Sequence, residues 1–125
     1  MNTINILLAN DDAVIRQCLR RAMELDPILS VKWEADNGLE AILLVRKHSP
    51  HVVLMDAQMP RMDGIEATKC LKSCNCKVRV VVVSSLEQLK DAAVSAGADA
   101  VVMIDSGCDV IREAIYQVMN TTKQQ

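Results

Sequence analysis

Four aliphatic runs, Ile4 to Ala9, Val52 to Met55, Val78 to Val83 and Ala100 to Ile104, recur along the chain between segments of helical spacing. Short runs almost free of polar residues are what strands buried on both faces require. A fifth run, Ser30 to Ala35 (SVKWEA), alternates instead, as expected of an edge strand. Each intervening segment opens on a residue whose side chain can cap a helix. Asp12 precedes Val14, Ile15, Cys18, Leu19 and Ala22; Asn37, with Glu40 three residues on, precedes Leu39, Ile42 and Val45. Asp63 with Glu66 opens Ile65, Thr68 and Leu71, and Ser85 with Gln88 opens Leu86, Leu89, Ala92, Ala93 and Ala96, stopped by Gly97. Ser106 or Asp109 opens Ile111, Ala114, Ile115 and Val118.

Strand followed by helix, five times over, calls for right-handed crossovers and helices on both faces of one sheet. The predicted fold is α/β, a doubly wound five-stranded parallel sheet with five helices, in the flavodoxin-like order 2-1-3-4-5 if strands one and three are neighbours. At 125 residues there is one domain, read as 1–119, with 120–125 a polar tail or the start of a linker. Phe is absent and Trp33 and Tyr116 are the only aromatics, so Val, Leu, Ile, Met and Ala must fill the core.

Lys plus Arg number 14 against 16 for Asp plus Glu, a formal charge of -2 that leaves no basic surplus for direct nucleic-acid binding. No apolar run approaches the roughly 18 residues of a membrane span and no signal peptide is visible, so no membrane role and a cytoplasmic location are expected. Five cysteines without paired spacing fit reduced thiols.

In sheets of this kind ligands gather beyond the carboxyl ends of the strands. Asp11 and Asp12 stand there after strand one, Asp56 after strand three, Ser84 and Ser85 after strand four, Ile104 and Asp105 after strand five. Strand-end aspartates often do no more than cap the next helix. Three on neighbouring strands, with a hydroxyl on a fourth, suit a hard divalent cation such as Mg²⁺ together with a phosphoryl group. An aspartate so placed is a competent phosphoryl acceptor, and Ser84 could donate to a phosphoryl oxygen.

These segments resemble the receiver domains of two-component response regulators over nearly the whole chain, from about Ile4 to Met119. NDDAVIR (10–16) is similar to the family's acidic pair, LMDAQMPRMDGIEA (54–67) to its phosphoacceptor segment, VVVSS (81–85) to strand four with its hydroxyl, and SAGADAVV (95–102) to the approach to strand five. The resemblance implies that Asp56 takes phosphate from a histidine kinase, a phosphotransfer protein or a small phosphodonor. It implies that Asp11, Asp12, Asp56 and the backbone carbonyl of Gln58 hold Mg²⁺, that Ser84 is the switch hydroxyl, and that Met59, Pro60, Asp63 and Gly64 shape the loop after the acceptor. It further implies a partner or homodimer surface on helix four, strand five and helix five, and a DNA-binding output domain if the chain continues C-terminally.

One departure stands out. Where the family carries an aromatic and, three residues on, a lysine, this chain has Val101 and Ile104. The expectation is therefore an atypical receiver that binds metal and whose switching is weakened or rerouted. The rival expectation is a pseudo-receiver, a protein-interaction module indifferent to phosphate. A small Mg²⁺-dependent phosphohydrolase ranks below both, because no insertion is long enough for a substrate lid; no enzyme activity is expected beyond self-phosphorylation and self-dephosphorylation at Asp56. Cys70, Cys74 and Cys76 read as free thiols rather than a metal site, since no fourth ligand lies near. His48 and His51 read as a helix-end cation and an exposed loop residue, and the methionines as core filler.

Overall fold

The computed structural model describes residues 2–120 in full and the backbone of 121–123. The elements run β1 (Ile4–Ala9), α1 (Ala13–Met23), β2 (Leu29–Ala35), α2 (Gly38–His48), β3 (Val52–Asp56), α3 (Gly64–Ser73), β4 (Arg79–Ser84), α4 (Lys90–Ser95), β5 (Ala100–Met103) and α5 (Cys108–Lys123). Short 3-10 turns at Glu87–Leu89 and Ile104–Ser106 precede α4 and α5. The strands form one parallel sheet in the order β2-β1-β3-β4-β5, the predicted doubly wound arrangement.

Alternation along each strand sorts the core into two layers. Ile4, Ile6 and Leu8 of β1 pack with Leu19 and Met23 of α1 and with Ile111 and Ile115 of α5. Leu7 and Ala9 face the other way, onto Ala41, Ile42 and Val45 of α2 and Ala67 and Leu71 of α3. The central strands β3 and β4 are buried from Val52 to Met55 and from Val80 to Ser84, which explains their unbroken aliphatic runs. The edge strand β2 alternates as expected, and slips register against β1 between Ile6 and Leu7.

Three of the expected helix starts hold. Asp12 accepts from the Val14 and Ile15 amides, Asn37 from the Glu40 amide, and Asp63 with Glu66 forms a full capping box. Ser85 does not cap α4. The Ser84 hydroxyl takes the Leu86 amide instead, the chain turns through Glu87–Leu89, and the helix proper shrinks to Lys90–Ser95 without a side-chain cap. Gly97, at φ +103°, ends it as expected. Neither Ser106 nor Asp109 opens α5, which starts at Cys108 after Gly107; Asp109 lies in its first turn, bonded to Arg112. Ile104 leaves β5 and begins the second 3-10 turn. Of the 120–125 segment expected as a tail, 120–123 belong to α5 and 124–125 lie outside the described residues.

Candidate functional site

β1 and β3 lie side by side with Ala9 opposite Met55, so Asn10, Asp11 and Asp12 leave the sheet beside Asp56. A network holds this turn in place. Asn10, 6% exposed, accepts the Asp12 amide on its side-chain oxygen at 2.8 Å, while its own carbonyl accepts Nη1 of Arg16 at 2.7 Å. Arg16 is held in turn by Glu34 of β2, Nε to Oε1 at 2.9 Å, and Arg20 grips the second oxygen of the same carboxylate at 2.5 Å. Two guanidiniums on one carboxylate keep Glu34 below its usual pKa against the opposing cost of its burial.

Asp56 ends β3 in a half-buried position, and its pKa is pushed up to about 6. Burial is the main cause, and the negative charge of Asp11 adds to it; the amides of Gln58 and Ala57 act in the opposite direction. The Gln58 amide donates to Oδ1 of Asp56 at 3.4 Å. The charge of Asp11 thus bears on Asp56, and among the described residues no salt bridge reaches either carboxylate.

Asp12 behaves differently from the expected convergence of three carboxylates. Its Oδ1 is committed to the α1 cap, at 2.9 Å from the Val14 nitrogen and 3.2 Å from that of Ile15. Among the described residues no three carboxylate, imidazole or thiol side chains are gathered as a ready-made metal cage. The reason is the helix itself, whose first amides need an acceptor.

Across the loop after β3, Gly38 donates to the Met62 carbonyl at 2.8 Å, and Met62 to that of Pro60 at 2.7 Å around Arg61, which adopts φ +69°. A polar hollow of about 280 Å³ opens there, lined by Asp11, Asp36, Asn37, Pro60 and Arg61. Arg61 is the cation that lines it. Neither it nor the Arg16–Glu34 clamp was foreseen, since each joins residues of different elements with no shared local pattern.

Ser84 is buried, 1% exposed, at the end of β4. Its hydroxyl donates to the Leu86 carbonyl at 2.9 Å and accepts the Leu86 amide at 3.0 Å, so the proton faces the following loop. Val101 packs half-buried against the layer under α2, α3 and α4, and Ile104 against the opposite layer under α1 and α5. Ile104 follows Met103, the β5 partner of Ser84, and places a hydrocarbon side chain just past the end of β5.

The chain matches the family model described as response regulator receiver domain over residues 6–116. It is 43% identical over 102 residues to a protein-glutamate methylesterase/protein-glutamine glutaminase of Myxococcus xanthus, a match covering 78% of this chain and 29% of that protein. It is 32% identical over 116 residues to the chemotaxis protein CheY of Halobacterium salinarum, covering 91% of this chain and 95% of that one. The structure of a LuxR-family two-component response regulator from Aurantimonas superposes with a TM-score of 0.91 at 29% identity, over 96% of this chain and 87% of that one. Against the methylesterase relatives the chain spans under a third of their length. With its sheet in the order β2-β1-β3-β4-β5, the chain belongs to the response regulator receiver domain family.

Proposed function

We propose that this domain accepts a phosphoryl group on Asp56 with Mg²⁺ at the acidic edge of the sheet, and that its response to phosphorylation is weaker than or rerouted from that of a receiver with a lysine at position 104. The observation that carries the reading is the elevated pKa of Asp56, caused by burial and by Asp11. The charge of Asp11 opposes the ionisation of Asp56, among the described residues no salt bridge offsets it, and an all-oxygen donor set suits a hard divalent cation. Asp11, Asp56 and the Gln58 carbonyl would hold it, with Asp12 contributing the oxygen that its cap leaves over. When bound, Mg²⁺ neutralises charge on the transferring group.

The chain's own residues supply the rest. An Asp56 oxygen is the nucleophile, and it must be ionised to act. The amides of Gln58 and Ala57 favour that ionised form. Ser84 serves a phosphoryl oxygen only by giving up the Leu86 carbonyl, a bond that ties the end of β4 to the loop leading into α4. With Ile104 in place of a lysine, one charge-assisted hydrogen bond of about 1.5–3 kcal/mol is missing. Inverting a two-state equilibrium from 1:99 to 99:1 takes about 5.5 kcal/mol, so the missing bond is a large share of a full switch.

The phosphodonor is a histidine kinase or phosphotransfer protein on this reading, and no activity on an external substrate is assigned. The similar structure of a DNA-binding response regulator of the LuxR family from Staphylococcus aureus supports a DNA-binding output domain where the chain forms part of a longer regulator, and α4, β5 and α5 are the surface for a partner or a second copy. Among the described residues no helix is long and apolar enough to cross a membrane. The domain is read as 1–119 together with the rest of α5, to Lys123.

Titration with Mg²⁺ and then beryllofluoride, followed by amide NMR, tests the proposal. Shifts at Asp11, Asp56 and Gln58 that extend to Ser84 and Leu86 are expected. A second reading, a pseudo-receiver that binds partners without phosphate, is favoured by Ile104, and shifts with Mg²⁺ but none with beryllofluoride would select it.

A further inference from the structure

At the amino end of the sheet, opposite Asp56, lies a cavity of about 680 Å³. Val45, Pro50, Val78 and Met119 line it with hydrocarbon, and Arg46 and Lys77 line it with cations, beside Arg79, which pairs with Asp99 at 3.9 Å; no carboxylate is among its described lining residues. His51 also lines it; its Nδ1 accepts the Asn5 amide at 2.9 Å, which leaves the ring proton on Nε2 as a donor. A volume in the range of small-molecule pockets, apolar inside and basic at the mouth, suits a compact ligand bearing carboxylates.

The wall also carries a thiol, Cys76. The end of α3 places it there. Asn75, at φ +63°, donates to Lys72 and Cys76 donates to Leu71, the paired bonds of a Schellman turn that folds Cys76 back against the core layer containing Leu71. Arg46 reaches across from α2, donating from Nη2 to the Cys74 sulfur at 3.4 Å. The guanidinium holds its proton more tightly than usual, first through its contact with Cys74, and Cys76 lines the same pocket as this guanidinium. Thiols beside a guanidinium are the ones that react as nucleophiles.

We propose that this pocket is a covalent site at which Cys76 forms a mixed disulfide with a small carboxylate-bearing thiol, delivered as its disulfide. The Cys76 thiol gives its proton to solvent, and its sulfur attacks one sulfur of the small disulfide. The new S–S bond forms as the old one breaks, and the departing thiolate carries away the electron pair and is protonated by solvent. Cys76 is oxidised, half of the small disulfide is reduced, and no further oxidant is required. Arg46 and Lys77 take the carboxylates. The site lies away from the acidic edge and does not depend on the function proposed for Asp56.

The test uses the full chain, the anionic oxidised glutathione and the cationic cystamine at equal concentration, with intact-mass kinetics and peptide mapping. Glutathione is expected on Cys76 first, about tenfold faster than on the exposed Cys18, with cystamine the slower reagent. Arg46→Ala and Lys77→Ala, both at exposed positions, should each remove most of the preference for the anionic reagent without altering the circular dichroism spectrum. Cys76→Ser should abolish the fast adduct while Cys74 and Cys18 remain reactive at their slow rates. Adducts that appear on Cys18 or Cys74 as fast as on Cys76, or an unchanged reagent preference in the Arg46 and Lys77 variants, would overturn the proposal.

Discussion

Gly64 packs directly on the backbone of Asp56: a Cβ at position 64 would fall 1.9 Å from the Asp56 carbonyl oxygen and 2.8 Å from Cγ of Met55. The Gly64 amide also donates to the Ala57 carbonyl at 3.0 Å, so the first turn of α3 is laced to the residues around the acceptor. Backbone cannot retreat as a side-chain tip can. Gly64→Ala should therefore cost at least the ~1–3 kcal/mol of an overpacked core position, seen as a lower urea midpoint, and should weaken Mg²⁺ binding because the Gln58 carbonyl moves with the loop.

The elevated pKa of Asp56 makes stability depend on pH in a defined direction. Its folded pKa of about 6 exceeds the ordinary 3.8, so the native state binds the proton more tightly than the unfolded chain. The stabilisation is complete below pH 3.8 and is lost as the pH rises through 6. At neutral pH the ionised carboxylate is a liability, which Asp56→Asn removes. Without divalent cation that variant should be more stable at pH 7 by ~1 kcal/mol, a figure reduced for the partial exposure of the group, and equal to the parent below pH 4. Excess Mg²⁺ should erase the gain. Thermal melts with and without chelator at several pH values measure all three.

Strand and helix periods were readable because each is a local property. The runs in β1 and β3 appear at their observed places within one residue, and the neighbours of β1 follow from topology once the crossover rule is applied. Helix α4 was misread because Ser84 and Ser85 are equivalent as letters, and only burial of the Ser84 hydroxyl decides which takes the Leu86 amide. The acidic edge was legible as a set of residues, yet its electrostatics were not. That Asp12 commits one oxygen to both the Val14 and Ile15 amides, and that Arg16 reaches the Asn10 carbonyl, are matters of side-chain direction that no spacing encodes.

Arg16 is a positioning residue for the acidic turn. Arg16→Met keeps an unbranched apolar stem on α1 but removes the donor to Asn10 and one of the two cations on Glu34. A hydrogen bond involving a charged group contributes about 1.5–3 kcal/mol, and Arg20 retains part of the hold on Glu34, so a loss of ~1–2 kcal/mol in urea unfolding is expected. The diagnostic readout is elsewhere: Asn10 and Asp12 amide resonances should broaden or shift, and Mg²⁺ affinity should fall while Asp56→Asn remains additive in stability.

Ile104→Lys asks whether the missing cation limits this domain. Position 104 follows the β5 residue that pairs with Ser84, and Asp56 pairs with Val83 on the neighbouring strand, so a long side chain leaving the carboxyl edge has the acidic pair in front of it. The substitution gives up half-buried contacts with the layer under α1 and α5, at a cost of about 1 kcal/mol. In return an ammonium should lower the Asp56 pKa below its present value of about 6, read from the carboxyl carbon shift in an NMR titration without metal. Beryllofluoride affinity in Mg²⁺ should rise by about 10- to 100-fold, the range of one charge-assisted hydrogen bond. Ile104→Met, equal in reach across the edge but uncharged, should change neither quantity. A lysine variant whose Asp56 titrates as before would show that the side chain runs elsewhere, and that this edge of the sheet is closed to the family's usual switch.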